Sequence, residues 1–321
     1  MGVQGRSSFF RKAIRRVAQA KQFKTYTEQV ELLRGRGMRI DDQDRAEHLL
    51  ARLNYYRLSG YWYPMRRFTD DNGAVGDEFV AGASLDLVVD LYKFDERLRH
   101  SVFIELDRVE TAVRAMLGYE LGRIDPLIYL DPKRLGVQAR RRRRDGCGEH
   151  EAWLKKYRAA FRASKEDFVA HHKKKYSKAM PVWAAVEIMD WGMLSHLYRM
   201  SPNIVRNRIA RQCALSAPQL ESWLKSLNIV RNYAAHHARM FNRVYDIKPK
   251  LNDDQRLAPV AGKMNRAFGQ LTLIQYLHRQ LDLSRGERLP ALFESYPDNG
   301  IVPLFRTGAP KDWAGLDLWA C

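Results

Sequence analysis

Cysteine is scarce in this 321-residue chain: Cys147, Cys213 and Cys321 are odd in number, far apart and without CxxC spacing. A disulfide framework or a cysteine-built zinc cluster is thereby excluded, and a reducing, cytoplasmic setting fits best. No run of about 18 apolar residues occurs, so no membrane span is expected. The N-terminus has no apolar signal-peptide core, and Arg6 stands where a myristoylation pattern needs Ser or Thr. Strand-like alternation and internal repeats are missing. So are a Gly-rich phosphate loop, a serine nucleophile elbow and any metal-ligand spacing. His171 and His172 are adjacent, and on a helix their side chains point about 100° apart instead of converging on one ion. With Lys173, Lys174 and Lys175 beside them they read as a solvated basic face. No cofactor and no metal are expected.

What the chain has is positive charge, net +18, and it is concentrated. Residues 1–24 carry seven Lys/Arg and no acid, and residues 133–178 carry sixteen against five Asp/Glu. These two stretches account for the whole excess, so the rest is balanced. Two basic concentrations on a neutral body are the electrostatic footprint of a polyanion partner. The alternative is a solvated arm and loop, and neither stretch has the apolar face a membrane surface would need.

Helical periodicity dominates. Leu87, Leu91, Phe94, Leu98, Val102, Leu106, Val109, Val113 and Leu117 recur at steps of three and four, which predicts one long amphipathic helix over 87–117. Shorter helices are expected at 27–36 and 41–53, the latter started by Asp41-Asp42. The aromatic stretch 54–64 reads as a packed turn region, and 130–148, with Arg140, Arg141, Arg142, Arg143 and Arg144 in a row, as an exposed loop. Further helices are expected at about 149–171, 181–200, 217–240 and 260–282, before an irregular tail. The fold class is all-α.

The hexad Arg231-Asn232-Tyr233-Ala234-Ala235-His236, followed by His237, combines a fixed cation with groups that titrate near neutral pH. A histidine can move protons, and an arginine can hold the charge that builds on a phosphate. On a helix Asn232 and His236 share a face, so the amide can hold the imidazole in one tautomer. Arg231 and His236 would stand about 140° apart around the axis, so one copy makes half a site. Two copies across a two-fold axis can complete it. The alternative is that both side chains satisfy polar groups within a helix bundle.

The hexad resembles the Rx4-6H signature of the HEPN superfamily. Asn54-Tyr55-Tyr56-Arg57-Leu58-Ser59-Gly60-Tyr61 resembles the N-terminal motif of the bacterial abortive-infection (Abi) family. Pro181-Val182-Trp183-Ala184-Ala185-Val186-Glu187 is similar to that family's central helix. Val230 to Asn232, His236 to Arg239 and Asn242-Arg243 resemble its HEPN core, and Gly308-Ala309-Pro310 with Asp312-Trp313 its C-terminal end. These matches fall in order across 26–319. The 1–24 extension and the basic insert at about 133–148 lie outside the pattern, leaving 25–321 as the Abi-like domain.

The resemblance implies a HEPN helical bundle with added N-terminal and C-terminal helices. It also implies a metal-independent endoribonuclease of an anti-phage or toxin–antitoxin system. His236 would be the general acid/base in attack of a ribose 2′-OH on its own phosphate, Arg231 would stabilise the phosphorane, and Asn232 would orient or assist. The products would be a 2′,3′-cyclic phosphate and a 5′-OH, and DNA would be a poor substrate. His237 is a candidate second proton carrier. Glu110 and Arg114 are candidates to buttress the site, the alternative being an ordinary surface ion pair. Arg57, Arg140 to Arg144, Lys173 to Lys175, Arg239 and Arg243 are candidates for RNA contact, with a structured small antitoxin RNA and a second copy of the chain as expected partners. Tyr26, Tyr55, Tyr56, Trp62 and Trp153 are candidates for base stacking, with core packing as the alternative. Two readings from other classes stay open: a non-catalytic protein that docks a structured small RNA, and a regulatory partner of another protein.

Overall fold

The computed structural model describes residues 21–69, 74–176 and 179–320. All but the last four residues of the basic 1–24 extension lie outside that set. The chain is all-α, and its contacts divide it into two compact units, one ending at Tyr92 and one beginning at Lys93.

In the N-terminal unit Thr25 and Glu28 form a capping box that starts α1 (Tyr26–Gly35). Asp42 accepts from the Arg45 N–H and starts α2 (Gln43–Leu53). The stretch read as a packed turn is instead helical: α3 covers Tyr55–Trp62 and a 3-10 turn follows at Tyr63–Met65. Asn54 makes this possible. It adopts φ 65°, ending α2, and its side chain accepts from the Tyr56 N–H at 2.9 Å to start α3. Leu58, Tyr61 and Trp62 turn into the core. A short antiparallel hairpin, β1 (Arg66–Thr69) with β2 (Ala74–Phe79), pairs Arg66 with Phe79 and Phe68 with Val75 across a bulge. Sequence alternation had not disclosed it, because four to six residues interrupted by a bulge carry little periodic signal.

The long helix α4 spans Leu85–Gly122, and eight of its nine periodic apolar residues, Leu91 to Leu117, are buried. Two expected long helices are broken. The first splits into α5 (Glu149–Ala163) and α6 (Asp167–Lys175) at Ser164. The second splits into α7 (Val182–Ala185), a 3-10 turn, and α8 (Trp191–Met200), whose start is capped by Asp190. Then come α9 (Asn203–Gln212) and α10 (Ala217–Ala235), a 3-10 stretch at Gln255–Lys263, α11 (Ala267–Gln280) and α12 (Arg288–Glu294).

Every residue of α11 from Ala267 to His278 is buried, so this helix is the axis of the C-terminal unit. Phe268 stacks on Trp319 at 4.1 Å, and Phe293 and Trp313 close around them. Trp313 of the C-terminal motif is therefore a packing residue. Two buried indoles find acceptors here: Trp153 donates to the Met193 carbonyl and Trp191 to that of Leu224.

His278, fully buried, sets a pH dependence. Its Nε2 lies 2.9 Å from the Glu105 carbonyl, which can only accept, so Nε2 donates there, while Nδ1 lies 2.7 Å from Ser284 Oγ and 3.4 Å from the Glu105 carboxylate. Burial pushes its pKa below the usual histidine range, although Glu105 opposes this. Below about pH 6.5 the unfolded chain therefore takes up a proton that the native chain refuses, and stability falls as pH drops. Denaturation midpoints from pH 7.5 to 5 should decline less steeply in His278→Gln than in the native chain. Equal slopes would remove His278 as the cause.

Candidate functional site

The site is organised by the end of α10. Its start is fixed by a Ser216–Gln219 capping box and its body is buried through Leu220, Trp223, Leu224, Leu227 and Val230. It stops at Ala235, five residues short of the expected end. His237 N–H donates to the Ala234 carbonyl and Ala238 N–H to that of Tyr233, a Schellman closure with His237 in the left-handed region at φ 54°. Glycine is the usual residue there, and a histidine holds that conformation at some cost in strain.

The chain is drawn off the helix by Asp95 of α4. This carboxylate is fully buried and accepts from the Met240 N–H at 3.0 Å and the Phe241 N–H at 2.8 Å. Arg99, one turn on and 3% exposed, donates to its other oxygen at 2.7 Å. A continued helix would spend those two amide protons within the helix, so the clamp and the early end are one feature.

Arg231 sits on the last turns of α10 with its guanidinium 5.5 Å from the centre of the Phe103 ring. Among the described residues no acceptor takes any of its N–H donors. Glu110, two turns beyond Phe103 on α4, feels both Arg231 and Arg114. Burial nevertheless outweighs them and lifts its pKa above the ordinary glutamate value. The Glu110–Arg114 pair is thus more than a surface ion pair. Arg114 Nη2 donates to Glu110 at 2.7 Å, and its Nη1 donates to the carbonyls of Val186 and Met189. It ties the central Pro181–Glu187 segment to α4. That segment lies so close that a Cβ at Gly118 would come within 3.0 Å of Trp183 Cα, and one at Gly122 within 2.8 Å of its ring.

Asn232, His236 and His237 are exposed. The expected amide–imidazole contact does not form: no side-chain hydrogen bond joins Asn232 to His236 among the described residues, and His236 is the C-cap of the helix. Phe103 and Ile104 are 43% and 40% exposed, and with Ala234, Ala235 and His237 they line a shallow apolar groove of about 310 Å³. The arrangement offers a cation with an open hydrogen-bonding fork on the last turns of a helix whose cap carries two exposed imidazoles. A helix C-terminus repels an anion, so the Arg231 charge has that repulsion to offset.

The other candidates are placed elsewhere. Arg140 is used locally, donating to the Pro132, Lys133 and Leu135 carbonyls. Arg143 pairs with Asp145, while Arg141, Arg142 and Arg144 are exposed and have no ion-pair partner among the described residues. They ride on a turn closed by the Arg143–Cys147 and Glu149–Arg141 backbone bonds, so the insert is more ordered than a loop. Lys173 caps α5 by donating to the Arg162 and Ser164 carbonyls, and Lys174 and Lys175 are exposed. Arg243 stacks on Tyr233 at 4.2 Å and donates to the Arg239 carbonyl. Arg57 is exposed on α3, in the N-terminal unit. Trp62 and Trp153 are buried, Tyr55 is half-buried, and Tyr26 and Tyr56 are open to a base.

Sequence reasoning missed Asp95, Arg99 and Phe103. Phe103 and Ile104 were detectable as apolar positions off the buried stripe of α4, whereas nothing local marks Asp95. Among the described residues no group of His, Cys, Asp or Glu is placed to hold a metal, and no helix is long and apolar enough to cross a membrane. A family model described as Abi-like protein matches residues 48–242, which takes in the Asn54–Tyr61, Pro181–Glu187 and Arg231–His236 motifs and stops before Gly308. No curated protein and no solved structure matches the chain.

Proposed function

This chain belongs to the Abi-like protein family, and from that premise we propose that it is a metal-independent endoribonuclease of HEPN type acting in bacterial abortive infection or as a toxin. The observation that carries the reading is the open guanidinium of Arg231, seated on Phe103, with the exposed His236 five residues further along the chain at the end of the same helix. An arginine serving a structural role would have its fork filled. Here the fork is left to a ligand with oxygens to offer, and a phosphate is the ligand it fits best.

In this reading His236 takes the proton of a ribose 2′-OH as the oxygen attacks the adjacent phosphorus, or returns one to the departing 5′-oxygen. Arg231 holds the non-bridging oxygens as charge grows on them. His237, across the cap, is the second proton carrier. Asn232, exposed on the last turn, meets the substrate instead of the imidazole. Glu110 and Arg114 hold α10, α4 and the central segment in register. A second copy, packed on the Phe103–Ile104 groove, would bring a second Arg231–His236 set. The exposed Arg141, Arg142 and Arg144 suit a structured RNA held away from the cleavage site.

Total RNA incubated in EDTA with the native chain and with His236→Ala tests this. Cleavage by the native chain that leaves 2′,3′-cyclic phosphates and is lost in the variant is the expected result. Binding without cleavage by either would favour the RNA-docking reading, and equal background in both would end the enzymatic one.

A further inference from the structure

A second site lies in the C-terminal unit, in a cleft of about 430 Å³ to which none of the proposed cleavage residues contributes. Lys263, Arg266 and Arg306 line it and no acid does. Among the described residues none of the three cations has an acidic partner, and no acceptor takes a side-chain N–H of Arg266 or Arg306. Arg306 Nε is buried and unpartnered, as is the Oδ1 of Asn242 on the same wall. Three like charges converging without a counter-charge repel one another, and two orphaned polar atoms add a desolvation cost. An anion carrying more than one charge relieves the repulsion among the cations that line the cleft.

The cleft is built and braced. Tyr245 N–H donates to the Asn265 carbonyl at 2.8 Å, and Val244 bridges to Arg266, so the segment after the hexad is fastened to the turn that carries two of the cations. Gly308 lies against Arg266: a Cβ there would come within 2.5 Å of the arginine Cβ, and its φ of 96° disfavours any other residue. Asn242 and Gly308, from motifs at distant points in the chain, thus meet around one hollow. Phe305 stands at the rim, 61% exposed, with its ring open to a flat partner.

We propose that this cleft is a nucleotide-binding subsite. The phosphate sits among Lys263, Arg266 and Arg306, the base stacks on Phe305, and the Asn242 and Asn265 amides meet the sugar or base edges. A planar aromatic rim and paired amides distinguish it from a plain anion hole, and its volume is that of a small-ligand pocket, beyond what a lone ion needs. A free nucleoside phosphate and one nucleotide of an RNA strand share this chemistry. The assignment is independent of cleavage at His236.

Equilibrium binding to the full chain tests it, with three probes: ATP and GTP, single-stranded oligoadenylate and oligoguanylate RNA, and inorganic phosphate. The variants are Lys263→Glu and Phe305→Ala, both at exposed side chains that the fold does not need, with Phe305→Tyr to restore the ring. Lys263→Glu should weaken nucleotide or oligonucleotide binding at least 10-fold and lower its salt slope by about one. Phe305→Ala should weaken it at least 5-fold and Phe305→Tyr restore it. Loss with the free nucleotides identifies a diffusible ligand, and loss with the oligonucleotide alone identifies an RNA strand. Binding by inorganic phosphate as tight as by any nucleotide, no binding at all, or affinities unchanged in both variants would overturn the assignment. RNA cleavage in EDTA, read on the same variants, reports separately on the His236 site.

Discussion

Arg231→Ala is expected to lower RNA cleavage by about 100- to 1,000-fold, the loss seen when one donor to a developing oxyanion is removed. The fold should barely register the change. Arg231 fills no acceptor among the described residues, so what its removal takes from stability is its attraction for Glu110 and its contact with the Phe103 ring, the latter on the order of 0.5–1 kcal/mol at a half-exposed position. Stability and activity therefore come apart, which a structural arginine would not allow. Arg231→Lys keeps the charge and loses the planar fork, so it should recover only part of the rate. Phe103→Ala, which unseats the guanidinium without removing it, should lower kcat more than it raises KM. Single-turnover cleavage and urea denaturation on the same preparations check this. Half the native rate in Arg231→Ala would sink the assignment, as would a rate loss matched by a loss of folded protein.

The second large effect belongs to Asp95, which touches no proposed substrate. Asp95→Ala removes the carboxylate to which the buried Arg99 guanidinium and the backbone N–H groups of Met240 and Phe241 donate. Breaking a buried pair from one side costs about 3–5 kcal/mol, because the surviving charge stays desolvated. Domains of ordinary stability hold only about 5–15 kcal/mol in all, so the variant should be near its folding limit at 37 °C. Asp95→Asn keeps an acceptor for the two amides and should lose less. In Asp95→Ala/Arg99→Leu no charge is left behind, and stability should recover above that of Asp95→Ala alone. Urea midpoints for these four proteins and for Arg99→Leu alone decide it. A cost under 1 kcal/mol for Asp95→Ala, or simple additivity in the double variant, would show that the clamp is not what holds the exit from α10.

Much of the fold was legible because its signals are local. The apolar stripe of α4 follows from a 3.6-residue period, Asp42 announces the helix it caps, and the basic stretches are visible as charge. Where the reading failed, a local signal was outvoted or too short. Asn54 starts a helix in an aromatic stretch that looked like a turn. Ser164 and Asp190 break long apolar patterns that continue across them. The end of α10 is the clearest case: His236-His237-Ala238 contains no glycine or proline, so nothing in those residues announces a stop.

The sequence by itself determined that this protein is helical, that it carries its charge in two concentrations, and that a cation and two imidazoles are grouped at 231–237. Those properties live in neighbouring residues. Only the tertiary structure decided that α10 ends at Ala235, because the stop is imposed by a carboxylate 145 residues away, at hydrogen-bond distance from Met240. Only it decided that Arg231 rests on Phe103 with its fork open, and that Asn242 and Gly308 share one basic cleft. Buried charge and long-range hydrogen bonds act through space, and their partners leave no periodic trace along the chain.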